Sequence, residues 1–216
     1  MTGNDNVRPF IQKIVTDARE YVQSLIDENG RLQKLLADIQ EESQKASARY
    51  VEVEQQNTHL ANLYVASYQL HGTLDRGRVL GSIQEIIINL IGSEELAIWE
   101  MSDDGHELNL AASFGLDAVK WSRIKLDNDS GIIGLAAATG ERFVLGQSPL
   151  VPAGKELGLT AAIPLKLDER VTGVIGIFSL LGQKSGLEAV DFELFDLLAT
   201  HGATALYCTR LAEVAA

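Results

Sequence analysis

The chain has 216 residues, 46% of them hydrophobic, with 19 glycines, 4 prolines, one cysteine and a net charge of −12. That length and apolar content suffice for one domain with a sizeable core plus an extension, and they exclude collagen-like and broadly disordered chains. The acidic balance excludes nucleic acid as a principal partner and disfavours anionic membrane surfaces, because both need clustered Lys and Arg.

No apolar run approaches the ~18 residues that membrane insertion requires. The opening stretch MTGNDNVRPF has neither the basic start nor the apolar core of a secretory signal, so the expected location is cytoplasmic. The lone Cys208 excludes an internal disulfide framework and a cysteine-based zinc site.

Residues 1–71 carry one heptad register. With Ile11 at position a, the a series runs Ile11, Ala18, Leu25, Leu32, Ile39, Ala46, Val53, Leu60 and Ser67. The d series runs Ile14, Tyr21, Glu28, Leu35, Glu42, Arg49, Gln56, Leu63 and Leu70. Such a sustained repeat predicts a coiled coil. Its interface is assigned to Ile11, Ile14, Leu25, Leu32, Leu35, Ile39, Val53, Leu60, Leu63 and Leu70. Pro9 suits the first helical turn, with Asn6 as the cap upstream.

Two features interrupt the seam. Glu42, Arg49 and Gln56 occupy consecutive d positions, which costs stability and leaves that segment adjustable. Asn29-Gly30 can end a helix. Gly30 falls at an exposed f position and the register survives it, which favours one continuous helix of about 90 Å over a helical hairpin. Val15, Val22, Leu36, Tyr50 and Tyr64 sit at e and widen the apolar stripe. Either more than two helices meet there, or a partner protein docks along that side. Residues 1–71 hold 7 Lys and Arg against 10 Asp and Glu, a solvated helix and not a nucleic-acid arm.

Residues 72–216 follow a second pattern. Leu74, Val79, Leu80, Ile83, Ile86, Ile87, Leu90 and Ile91 repeat at helical spacing, and Gly92 ends that helix. Glu95–Met101 and Glu107–Phe114 predict a hairpin around the turn residues Asp103-Asp104-Gly105. Leu116–Trp121 predicts a short helix and Arg123–Leu126 a short strand. Gly131–Thr139 predicts a helix started at Asp129-Ser130 and ended by Gly140. Arg142–Leu145 follows as a brief strand, and Gly146–Gly158, with two prolines and three glycines, as a loop.

Leu159–Leu181 predicts the central hairpin, turning at Asp168, Glu169 and Arg170. In its second strand Val171, Gly173, Ile175 and Ile177 point one way, and Thr172, Val174, Gly176 and Phe178 the other. Both sets are mainly apolar, so this strand should be covered on both faces. Gly173 and Gly176 are expected to permit close helix packing. Leu187–Ala212 closes the domain as a helix apolar enough to bury two sides. The fold class is α+β: a central antiparallel sheet with helices on both faces, plus the long N-terminal coiled-coil helix.

Three stretches of residues 72–212 resemble the GAF domain family. SGIIGLAAATGERFVL is similar to its helix–Gly–strand segment, LTAAIPLKLDERVTGVIGIFSL to its last hairpin, and LEAVDFELFDLLATHGATAL to its closing helix. The resemblance implies a small-molecule pocket on the sheet face opposite the terminal helices. Its walls would include Trp99, Phe114, Ile132, Leu135, Phe143 and alternate residues of Ala161–Leu165, with the 146–158 loop as lid. Polar candidates at its edge are Thr160, Ser113 and Lys125.

The family's cyclic-nucleotide set of Asn, Lys, Phe, Asp and Glu has no counterpart here. The bilin-binding and methionine-sulfoxide-reductase members need cysteines at the pocket. Cys208 lies on the closing helix and is expected to be a buried packing residue. His59, His71, His106 and His201 sit on separate elements without ligand spacing, so no metal site is expected, and His201 is expected in a core or interface. No acid–base constellation appears, and no cofactor is expected.

The function expected is therefore non-catalytic: a signalling or regulatory module that homodimerises through its helices and docks partner proteins. Two alternatives remain. One is a sensor whose small ligand controls coiled-coil packing. The other is a thiol-dependent reductase.

Overall fold

The computed structural model describes residues 7–127 and 130–215. The expected cap Asn6 and the helix-start residue Asp129 lie outside them. The chain divides into two compact units that meet at Asn57 and Thr58.

Helix α1 spans Val7–His71 without a break. Gly30 sits within it, and an added Cβ there would meet nothing within 4 Å. An exposed helical glycine costs only about 1 kcal/mol relative to Ala, too little to outweigh the uninterrupted hydrogen-bond ladder on either side. In the first unit Ile11, Ile14, Leu25, Leu32, Leu35, Ile39 and Val53 are each a little over half exposed. The last turns of α1 belong to the second unit. There Ala66 and Leu70 are completely buried in that unit's core, and Leu63 packs against it. This corrects the seam. Leu63 and Leu70 keep the heptad register but are used by the domain itself, so of the assigned seam Ile11 to Leu60 stay exposed.

The second unit is built on a six-stranded antiparallel sheet in the order β3-β2-β1-β6-β5-β4. The strands are β1 (Leu96–Met101), β2 (Glu107–Phe114), β3 (Arg123–Lys125), β4 (Phe143–Val144), β5 (Ala161–Leu167) and β6 (Arg170–Ile177). Asp168, with φ 52°, and Glu169 form the β5–β6 turn, and Arg170 already belongs to β6. β6 pairs with β5 on one side and β1 on the other. It is the central strand that its two apolar faces imply.

The faces separate as the alternation requires. Ile175 and Ile177 of β6 join Leu96 and Ile98 of β1 and Ile163 and Leu165 of β5 in one core. That core is covered by α2 (Arg76–Ile86), by α4 (Ala189–Leu197), by α5 (Ala203–Ala215) and by the end of α1. Val174 and Phe178 join Ala97, Trp99 and Ala162 in the other core, under α3 (Gly131–Thr139).

Helix α2 runs on into a π-helical turn at Ile87–Ile91 and stops at Gly92, whose φ of 78° suits glycine. The closing helix likewise has a π-helical turn, Leu198–Gly202, between α4 and α5. These wide turns rotate the apolar stripe, and π-turns inside helices recur where packing or function demands it. The loop before α4 is fastened by Lys184, whose ammonium donates to the Ile91 carbonyl (2.5 Å) and to the fully buried Asp191 carboxylate (2.8 Å).

The expected helix at Leu116–Trp121 is absent. Hydrogen-bonded turns take its place, with the Asp117 carboxylate accepting from the Val119 amide (2.9 Å). Asp side chains compete with the backbone for these amides and stabilise turns over helix.

Candidate functional site

The sheet face under α3 is aromatic. Trp99, Trp121, Phe143 and Phe178 are all buried there, with Ile132, Ile133, Ala136 and Ala137 of α3 above them. The Trp99 indole N–H donates to the Trp121 carbonyl at 2.9 Å. Trp121 in turn stands 5.6 Å from Trp99 and 5.0 Å from Phe178 between ring centroids. Such tilted pairs add about 0.5–1.5 kcal/mol each to their area burial.

The two glycines of β6 have different partners from those expected. A Cβ on Gly176 would lie 2.8 Å from the Trp99 ring, and one on Gly173 only 2.3 Å from the Trp99 carbonyl oxygen. Gly176 makes room for an indole and Gly173 for the neighbouring strand's backbone. Neither serves helix packing.

The loop over this face is held by a carboxylate. Glu156, on a 3-10 turn at Gly154–Glu156, is only 4% exposed. Its oxygens accept from the backbone N–H groups of Ile132 (2.7 Å) and Ile133 (3.0 Å). The N-cap residue Ser130 makes no side-chain cap bond to α3, so the cap comes from 24 residues downstream. The two amides and the positive end of the helix compensate the buried charge. Gly131, with φ 72°, completes the fit, because a Cβ there would come within 2.6 Å of the carboxylate. Next to Glu156, the Lys155 ammonium stands 5.4 Å above the Trp121 ring, a contact of about 0.5–1 kcal/mol at an exposed site. Loop, helix and aromatic floor are thus fastened together.

The expected wall residues divide. Trp99, Ile132 and Phe143 meet in this core. Phe114 does not. It pairs with Leu96, whose side chain lies in the opposite core, and it is half exposed at the end of β2. A register shift between Ile98 and Trp99 in the β1–β2 pair changes which β2 residues share a face with Trp99. Leu135 is 44% exposed, on the outer side of α3. The Thr160 hydroxyl is engaged by the Phe178 carbonyl, and Lys125 is exposed on the edge strand β3, paired across from Glu107. Ser113 pairs with Ala97 of this core. Of the three polar candidates it alone is paired with a residue of this core, while Lys125 stands on the edge strand and the Thr160 hydroxyl is already bonded. Cys208 is exposed on α5 and is not a buried packing residue.

Trp121, Phe178 and Glu156 were not among the expected site residues. Trp121 closes a turn and carried no periodic signal, whereas the strand alternation gave Phe178 its face but not its place against Trp121. Glu156 is one acid in a Pro- and Gly-containing loop, and nothing local marks its long-range partner. The glycine at the first position of α3 was the one available hint.

Elsewhere, a cleft of about 330 Å³ opens between α5, the end of β1 and the β5–β6 turn, lined by Glu100, Leu165, Arg170, Leu206 and Tyr207 among others. At its edge the Arg76 guanidinium makes a bidentate pair with Glu100, which raises the arginine above its usual range. Among the described residues, no group of three or more His, Cys, Asp and Glu side chains could hold a metal ion. No described helix is long and apolar enough to cross a membrane.

Comparison with solved structures places this architecture. The GAF domain of a phosphoenolpyruvate-protein phosphotransferase from Coxiella burnetii aligns with a TM-score of 0.59 at 22% identity, over 72% of this chain and 96% of that one. The corresponding Acinetobacter GAF domain aligns at 0.54 and 15%, over 73% and 96%. Free methionine-R-sulfoxide reductase from Neisseria meningitidis aligns at 0.54 and 21%, over 71% and 91%. These identities speak for the fold alone. A search of curated proteins returned no match. The family model for the GAF domain matches residues 77–208, more than half the chain, and the chain belongs to the GAF domain family.

Proposed function

We propose that this chain is a non-catalytic regulatory module of signalling. It pairs with a second copy through α1 and presents the paired helices to partner proteins. The observation that carries this reading is the unpartnered seam. From Ile11 to Val53 the a and d side chains Ile11, Ile14, Leu25, Leu32, Leu35, Ile39 and Val53 stay about half exposed, and a stripe of that length on one helix is stable in water chiefly when another helix covers it. The widened e positions, Val15, Val22, Leu36, Tyr50 and Tyr64, are exposed beside it and leave surface for a docked protein after pairing.

The packing under α3 supports the same reading over the sensor alternative. A ligand would need to displace Trp99, Trp121 and Phe178 from a buried, hydrogen-bonded cluster, and to do so while Glu156 holds the loop. The reductase alternative has little support, since the single cysteine lies exposed on α5 and not among the residues under α3.

Sedimentation velocity on the full chain at micromolar concentration tests the proposal. A dimer or larger assembly is expected, and a monomer would remove its basis. Native mass spectrometry of freshly purified chain separates the sensor reading, which requires a retained small molecule.

A further inference from the structure

Two histidines 130 residues apart in sequence meet at the surface of the second unit. His71 is the last residue of α1, and His201 lies in the π-helical turn before α5. His71 Nε2 and His201 Nδ1 are 2.9 Å apart, with the rings edge-on at 72° and centroids 5.2 Å apart. Both side chains are exposed. His201 is thus neither a core residue nor isolated from the other histidines.

We infer that this pair is a two-imidazole chelate for a divalent transition-metal ion of the nickel or copper class, clamping the end of α1 to the closing helix. The argument is geometric. Metal–imidazole bonds are about 2.0–2.1 Å. Two such bonds at 90°, the cis angle of a tetragonal or octahedral ion, put the nitrogens about 2.9 Å apart, whereas a tetrahedral angle needs about 3.3 Å. The observed 2.9 Å, the length of the hydrogen bond that joins the rings, puts both nitrogens within reach of one ion in either arrangement. Nickel and copper stand high in the affinity order of divalent ions for such nitrogen ligands.

Binding requires only local change. Without metal, one ring donates its N–H to the other ring's lone pair. With metal, that proton moves to the outward nitrogen of the same ring. Both rings then tilt so that their lone pairs converge on the ion, and water completes its coordination. Exposed rings can make that tilt without disturbing a core. The backbone needs no new arrangement, because Leu70, beside His71, and Gly202, beside His201, are buried and hold the two ring positions.

Calorimetric titration of the full chain with Ni²⁺ near pH 7.5, where ordinary imidazoles are neutral, tests this. One equivalent per chain should bind. His71→Asn and His201→Asn should each weaken binding at least about tenfold, as loss of one arm of a bidentate site does. His59→Asn and His106→Asn should leave it unchanged. Ni²⁺ should also raise the melting temperature of the wild-type second unit by roughly 2–4 °C or more, and of neither pair variant. The metal-free variants should melt as wild type does, which checks that they fold. Ni²⁺ bound no more tightly by wild type than by the His71→Asn, His201→Asn double variant would overturn the assignment. So would binding that follows His59 or His106.

Discussion

Leu32 and Leu70 occupy the same helix and belong to the same heptad register, yet they have opposite fates. Leu32 is 52% exposed in the first unit, and Leu70 is fully buried in the second. The repeat specifies an apolar stripe, not what covers it. In the last turns of α1 the second unit's own core covers Leu63, Ala66 and Leu70. Along the first unit the stripe stays exposed among the described residues, and a second copy is the cover proposed for it.

Breaking the seam alone should have the largest effect. Leu32→Asp together with Ile39→Asp places charges at two successive a layers of any paired α1, where burial of unpaired charge is prohibitive. Association measured by sedimentation should be lost, while the second unit's unfolding midpoint stays where it was. Loss of both would mean that the two regions are not independent.

The reverse experiment acts on the second unit. Trp99→Ala removes the centre of the aromatic cluster and should cost about 3–5 kcal/mol in denaturant unfolding of that unit. Leu70→Ala should cost about 2–5 kcal/mol by the same measurement, although a conventional heptad reading would assign it to oligomerisation. If Leu70→Ala instead weakened association and spared unfolding, the division at Asn57 and Thr58 would be misplaced.

Glu156→Ala is expected to be milder. It leaves the Ile132 and Ile133 amides without partners, about 1–3 kcal/mol. Hydrogen exchange at those amides should accelerate, and proteolysis within the 146–158 loop should increase. Unchanged exchange would show that Glu156 does not hold the loop.

The smallest effect concerns the β1–β2 turn. The Asp104 carboxyl is held below the usual carboxylate range, first by the Ser102 hydroxyl, which donates to it at 2.5 Å, and then by the His106 amide. A depressed carboxyl stabilises the fold above its unfolded value of about 3.9, and that contribution disappears as pH falls through the folded value. Ser102→Ala should move the Asp104 titration upward in an NMR experiment, with stability near neutral pH almost unchanged because the group is fully exposed.

Much of the domain was legible from local pattern. The alternation in β6 placed Ile175 and Ile177 on one face and Val174 and Phe178 on the other, because strand geometry leaves no third option. Gly92 and Gly140 marked helix ends, since each takes a left-handed angle that side chains resist. The site was less legible. Phe114 was misassigned by the register shift opposite Ile98 and Trp99, which only strand pairing reveals. Leu116–Trp121 was misread because the Asp117 side chain captures the backbone amide that a helix would use.

By itself, the sequence determined the periodicities: a heptad helix, two buried sheet faces and the order of elements that identifies a GAF domain. These are short-range consequences of where side chains project from regular backbone. The tertiary structure decided which apolar residues found partners within the chain. It brought Glu156 to the start of α3, fitted Gly176 around Trp99, and set His71 beside His201. Each of these contacts joins positions far apart in sequence, so no local propensity encodes it; only the packed fold brings the partners within bonding distance.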